Sequence, residues 1–155
     1  MADTAITISP TRVTPLAEEE QAATGFNSKF RVLWSDILYG TGASDTVTMT
    51  LGATPANWYI DKAFMKITTA FAGITAMTVI AGTTTSTAAL FSSVSILTAA
   101  NINQAVGVPV LTNTTATATK NLTVTFTAAG TGGPAGLTAG DLSIYLRLAD
   151  VSRLP

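Results

Sequence analysis

The chain has 155 residues, 47% hydrophobic and only 11% charged, with 8 basic against 9 acidic side chains and neither cysteine nor histidine. That length suits one domain with a real core, and a net charge of −1 supplies no basic field to draw in nucleic acid. The missing residue types exclude disulfides, the commonest general base and two of the usual transition-metal ligands, while so few charges imply a surface of hydroxyls, partner subunits or both.

At the start of the chain, Met1-Ala2-Asp3-Thr4 lacks the basic residues and long apolar stretch of a secretion signal. No apolar run approaches the roughly 20 residues of a membrane helix. The expectation is a product made and used without a secretion signal and without a membrane partner. Residues 1–24 read as an N-terminal arm or short helix. Thr14 stands where a cap belongs, Pro15 suits a first helical position, and Glu18, Glu19 and Glu20 fall early, where the helix dipole favours them. Gly25 is placed to stop such a helix. An irregular acidic arm is the competing reading, and both stay open.

Residues 25–155 read as an all-β domain. Phe30–Ile37 carries Phe30, Val32 and Trp34 on one face. Val47, Met49 and Leu51 alternate with Thr46, Thr48 and Thr50. Trp58–Phe71 alternates through Ala63, Met65 and Ile67, and Thr75–Gly82 leads into a turn at Thr83–Thr87. Ala88–Leu97 fits neither helical nor strand period. Ala105–Leu111 holds Val106, Val108 and Val110, with Pro109 arguing for an edge or bulge. Leu122, Val124 and Phe126 alternate with Thr123, Thr125 and Thr127, and Leu142, Ile144, Leu146 and Leu148 alternate with Ser143, Tyr145, Arg147 and Ala149. Side chains on a strand point to opposite faces with period two, so these are half-buried strands with one apolar and one polar face. Threonine suits the outer face because its branched Cβ favours extended backbone while its hydroxyl stays wet. Glycine-rich breakers at Gly40–Gly42, Gly52–Pro55, Ala72-Gly73 and Gly130–Gly140 separate them. Seven to nine strands with such spacing predict an antiparallel β-sandwich or barrel, and no βαβ alternation points to a parallel sheet.

Chemistry is harder to find. Serine catalysis needs a base, and none of Lys29, Lys62, Lys66 and Lys120 sits in a Ser-x-x-Lys arrangement. Asp36, Asp45, Asp61, Asp141 and Asp150 are the carboxylates available for a glycoside-hydrolysing pair. Each has a plainer role: Asp45 and Asp141 follow turn residues, and Asp61 adjoins Lys62 for surface pairing. No calcium loop is present, and Gly130–Gly136 matches neither phosphate-binding spacing. Asn113-Thr114-Thr115 and Asn121-Leu122-Thr123 fit a glycosylation pattern that means little without a secretion signal. Trp34, Trp58, Tyr59, Phe64 and Phe71 serve either as core and interface anchors or as a sugar-stacking platform, the former being the commoner use. Arg12, Lys29, Arg31, Arg147 and Arg153 are scattered along the chain without aromatic interleaving, so the reading is no cluster and no nucleic-acid partner. No catalytic residue, metal or cofactor is expected.

Three stretches carry a resemblance: Leu33-Trp34-Ser35-Asp36-Ile37, then Gly42–Gly52, then Trp58-Tyr59-Ile60-Asp61-Lys62-Ala63. With the Thr/Ala-rich strands and the final strand Gly140–Leu148, the chain from about Phe30 onward resembles the small capsid-accompanying structural proteins of tailed bacteriophages. The resemblance implies a head decoration, or cement, protein. It further implies a jelly-roll or related sandwich, a homotrimer on the capsid surface of the virion, and the major capsid protein as partner. Such proteins have no active site to carry over. Contacts are expected from the arm and the large aromatics, at Arg12, Glu18, Glu19, Glu20, Trp34 and Trp58. A tail, head-fibre or receptor-binding virion module is the alternative within the same class, and a carbohydrate-binding module is the alternative outside it.

Overall fold

Alternation decides which face of each strand is buried, and two such sheets close over a shared core. The computed structural model describes residues 3–7, 13–38, 45–53, 58–103, 110–111, 121–129 and 133–150. In chain order the elements are β1 (Asp3–Thr7), β2 (Val13–Pro15), α1 (Glu18–Thr24), β3 (Ser28–Leu33), β4 (Thr46–Ala53), β5 (Trp58–Ala72), β6 (Ala76–Thr83), β7 (Ser86–Ser95), β8 (Ala100–Asn103), β9 (Val110–Leu111), β10 (Asn121–Ala129) and β11 (Ala139–Asp150). One sheet runs β1-β4-β10-β6-β7. The other runs β2-β3-β11-β5-β8, with β9 also paired to β5. All pairings are antiparallel except β1 with β4. This is the expected all-β sandwich.

Setting aside β1, β2 and β9, the remaining strands can be renumbered 1 to 8 along the chain. They stand in the order 1-8-3-6 in one sheet and 2-7-4-5 in the other. Chain neighbours thus repeatedly fall in opposite sheets, and the last strand lies between the first and the third.

The inward faces meet in one cluster. Phe30 and Val32 of β3, Ile60, Met65 and Ile67 of β5, and Leu142 and Ile144 of β11 pack toward Val47 and Met49 of β4, Met77 and Val79 of β6, and Val124 and Phe126 of β10. Phe71 from one sheet contacts Phe126 from the other, ring centroids 6.3 Å apart. Each such side chain contributes about 1.5–3 kcal/mol by leaving water. Gly140 sits beneath Phe71 with φ +148°, and a Cβ there would come within 2.4 Å of the ring, so glycine lets this ring close over the backbone.

The two sheets differ on their outer faces. β4, β6, β7 and β10 contain no charged residue. Register aligns Thr46, Thr48 and Thr50 with Thr127, Thr125 and Thr123, and the Thr48 and Thr125 hydroxyls hydrogen-bond across the strands at 3.1 Å. We call this the threonine sheet. The other, whose outer face carries lysines, arginines and aspartates, is the charged sheet.

Several expectations change in detail. Residues 1–24 are not an appendage where they are described: β1 extends the threonine sheet beside β4 and β2 extends the charged sheet beside β3. Edge strands leave backbone groups unpaired, and this segment satisfies them. The sandwich therefore begins upstream of residue 25. The short helix is present but starts at Glu18, because Thr14 and Pro15 are held in β2 opposite Lys29 and Ser28. Gly25 ends it as expected, at φ +73°, its N–H donating to the Gln21 carbonyl. The strand expected over Phe30–Ile37 stops at Leu33. Its N–H is taken by the Asp36 carboxylate at 2.9 Å, and Trp34–Ile37 forms a 3-10 turn. The ambiguous stretch Ala88–Leu97 is mostly β7, whose period is broken by a bulge with Ser93 at φ +43°. Of the strand expected over Ala105–Leu111, only Val110–Leu111 lies within the described residues.

Candidate functional site

The outer face of the charged sheet is built by period two on three adjacent strands. In β3, Phe30 and Val32 point inward, which turns Lys29 and Arg31 outward. In β11, buried Leu142, Ile144 and Leu146 leave Tyr145 and Arg147 outside. In β5, buried Ala63, Met65 and Ile67 leave Phe64 and Lys66 outside. Register then places Tyr145 between Lys29 and Phe64. A bulge in β5 opposite Arg147 puts both Asp61 and Lys62 beside it.

Phe26 completes an aromatic cluster. Its ring lies 6.2 Å from Phe64 and 6.1 Å from Tyr145, and Phe64 lies 6.2 Å from Tyr145, all tilted. These are separations at which aromatic pairs attract. Lys29 Nζ stands 5.3 Å over the Tyr145 ring, a cation–π contact. Phe26 is held there by the residue after it. Asn27 Nδ2 donates to the Leu148 carbonyl at 2.7 Å, Asn27 Oδ1 accepts from the Leu148 N–H at 2.9 Å, and the Asn27 N–H donates to the Leu146 carbonyl at 3.1 Å. That clamp fixes the end of α1 against β11. Between α1 and the sheet lies a cleft of about 390 Å³ lined by Leu16, Glu20, Thr24, Phe26, Phe64, Lys66 and Tyr145. Size and lining fit a small-molecule or side-chain pocket, apolar with a few polar groups at the rim.

Two ion pairs lie on the same face. Arg31 donates from Nε and Nη2 to both Asp141 oxygens, at 2.9 and 2.7 Å. The hydrogen bonds from Arg31 hold the Asp141 carboxyl below its ordinary value against the opposing effect of partial burial, and Asp141 in turn raises Arg31. Arg147 Nε lies 3.5 Å from Asp61 Oδ2. The expected surface pairing of Asp61 is thus made with Arg147, across the strands.

Basic residues that look scattered in the sequence are gathered by the fold, which corrects the reading that Lys29, Arg31 and Arg147 form no cluster. With Lys62 and Lys66 they put five of the chain's 8 basic residues on one face, around aromatic rings. Arg12 and Arg153 lie outside the described residues. Glu18, Glu19 and Glu20 are exposed on α1, and Glu20 lines the cleft beside this face. Trp34 is half-buried and packs against the core rather than standing free. For Trp58 the backbone pairs with Asp150 at the start of β5. Of the aromatics weighed as a sugar platform, Phe71 is core and Phe64 joins the outer cluster. Phe26 and Tyr145 are the members the sequence does not single out. Tyr145 was legible as outward-facing, but its partners arrive from strands far away in the chain.

Of the carboxylates weighed for a hydrolytic pair, Asp141 and Asp61 do not converge. Asp141 and Asp61 sit at opposite ends of the β5–β11 ladder, about 20 Å apart at the rise of a strand. Glycosidase pairs stand within about 5–9.5 Å. Among the described residues no three of His, Cys, Asp or Glu group closely enough to hold a metal ion, and no helix is long and apolar enough to cross a membrane. Set against protein-family models, characterised proteins and solved structures, the chain has no significant match.

Proposed function

We infer that this chain is a virion structural protein of the phage-head decoration type, whose work is adhesion to the shell. The observation that carries the reading is the strand order, 1-8-3-6 over 2-7-4-5. Eight strands divided over two sheets in this way support reading the sandwich as jelly-roll-like, two Greek keys wound together, an architecture that recurs in viral capsid proteins and lectins. It joins the resemblance of Leu33–Ile37, Gly42–Gly52 and Gly140–Leu148 to phage head proteins. The threonine sheet supports the shell contact. A face of hydroxyls and methyls with no charged residue in β4, β6, β7 or β10 can be covered over a wide area without desolvating ions.

The test is co-sedimentation of purified protein with undecorated phage heads. Saturable, stoichiometric binding is expected, and Thr46→Lys with Thr127→Lys should abolish it by placing charges in the covered face. Absence of binding, together with absence of the protein from purified virions, overturns the reading. The aromatic cleft favours one second reading, a glycan-binding module. It predicts saturable glycan binding lost in Phe64→Ala and Tyr145→Ala, and a glycan screen without hits removes it.

A further inference from the structure

The cleft between α1 and the charged sheet holds more chemistry than an apolar pocket needs. Three of its walls are the rings of Phe26, Phe64 and Tyr145, half-buried and inclined to one another by 42°, 53° and 57°, so the triad is neither a stack nor a closed core. A cation seated over the middle of that triangle lies within about 6 Å of all three centroids, the reach of a cation–π contact. The triad already attracts one cation. Lys29 Nζ stands 5.3 Å from the Tyr145 centroid, and it comes from β3, on the side of Tyr145 away from Phe64. Two opposite charges line the same cleft: the Glu20 carboxylate from α1 and the Lys66 ammonium from β5, both exposed. They are not paired with each other, and neither forms an ion pair with another described residue. Lys66 stands two residues along β5 from Phe64, roughly 7 Å at the rise of a strand, so it leaves the sheet beside the triad rather than under it.

We propose that this cleft binds a small zwitterion that joins a quaternary ammonium to an anionic group, as phosphocholine does. The ammonium sits over the aromatic triad beside Glu20, and the anion meets Lys66. Charge complementarity selects the class: a carboxylate on the helix wall and an ammonium on the strand wall are both answered by one ligand that carries both signs. Hydrogen bonding selects the quaternary centre. A primary ammonium brings three N–H donors that need acceptors once they leave water. Thr24 Oγ1, a polar atom of the cleft, is already engaged, donating to the Glu20 carbonyl at 2.6 Å and accepting from the Phe26 N–H at 3.3 Å. A quaternary ammonium has no N–H to satisfy, and its methyl groups suit a wall of rings. The inference does not depend on what the threonine sheet touches. If the shell reading also holds, a chain bound through that sheet keeps the cleft facing away from the shell.

The test is calorimetric titration of the purified full-length chain with phosphocholine, choline and inorganic phosphate. Phosphocholine should bind more tightly than choline, and choline more tightly than phosphate, with the N-methyl proton resonance of both choline compounds moved upfield by the rings. The uncharged tert-butyl isostere of choline should bind about fivefold more weakly than choline, the scale of one cation–π contact. Glu20→Gln should weaken choline and phosphocholine alike, by about two- to fivefold, as loss of an exposed ion pair does. Lys66→Gln should weaken phosphocholine by a similar factor and leave choline undiminished. Both positions are exposed, so these variants keep the test independent of folding, and Phe64→Leu, which keeps bulk and removes the ring, should weaken both ligands. Co-sedimentation with phosphatidylcholine vesicles separates the sources of this chemistry. Vesicle binding displaced by free phosphocholine assigns a lipid headgroup; binding of phosphocholine but not of vesicles assigns a soluble or polymer-borne one. No binding of choline or phosphocholine at millimolar concentration overturns the proposal, as does an isostere that binds as well as choline, or affinities indifferent to Glu20→Gln and Lys66→Gln.

Discussion

Asp141 is the residue whose surroundings most clearly change its chemistry. Its two oxygens accept from Arg31, and that bonding lowers its proton affinity in the folded chain. The unfolded carboxyl titrates near 3.9. A group with a depressed folded pKa contributes stability that is complete above the unfolded value and is lost as the pH falls through the folded one. Wild type should therefore exceed Asp141→Asn in stability above about pH 5, and the gap should close below about pH 4. Denaturant midpoints across that range check it, and a gap that widens in acid would contradict the assignment. Gly140 makes a second prediction at this scale. An alanine there would meet the Phe71 ring at 2.4 Å in a backbone conformation that L-residues rarely adopt. Gly140→Ala should cost more than the roughly 1–3 kcal/mol of an ordinary overpacked site. In the same site, Gly140→Ala with Phe71→Leu should recover part of that loss.

At the scale of elements, the strands with strict alternation were the legible ones. Thr46–Leu51, Leu122–Thr127 and Leu142–Ala149 each declare a buried and an exposed face, and β4, β10 and β11 bury those faces. Where the pattern is broken by backbone geometry, reading failed. β7 carries two consecutive buried residues, Leu90 and Phe91, and a bulge at Ser93, so no single period describes it. The start of α1 was misplaced because Thr14-Pro15 has the composition of a helix entry, while strand pairing with β3 claims the same residues. That junction depends on Asn27, whose side chain is the hinge pin between α1 and β11. Asn27→Ala removes the two hydrogen bonds to the Leu148 backbone, at about 0.5–1.5 kcal/mol each, along with a longer one from Ser28 Oγ. It should destabilise the fold by about 1–3 kcal/mol, speed amide exchange at Leu148, and loosen Phe26 from Tyr145. Unchanged exchange at Leu148 would show that the clamp does not hold this end of the sheet.

At the scale of the molecule, a sequence with period two states which residues face out but not which strands lie side by side. Phe64 and Tyr145 were each legible as outward-facing, yet the candidate site exists only because β11 inserts between β3 and β5. That insertion joins residues more than a hundred positions apart, and only the core energetics of both sheets together select it. The same topology makes the sandwich one cooperative unit. β10 packs Phe126 against Phe71 of the opposite sheet, while its own neighbours β4 and β6 come from distant parts of the chain. Removing the Phe126 ring should therefore be felt everywhere at once. Phe126→Ala is expected to cost about 3–5 kcal/mol. For a domain of this size that lowers Tm by about 6–20 °C. The transition should stay single, with far-ultraviolet circular dichroism and tryptophan fluorescence shifting together, since no strand of either sheet has a core of its own to fall back on. Separate transitions for the two probes would instead mean that the charged sheet, with Trp34 and Trp58, survives the loss of its partner.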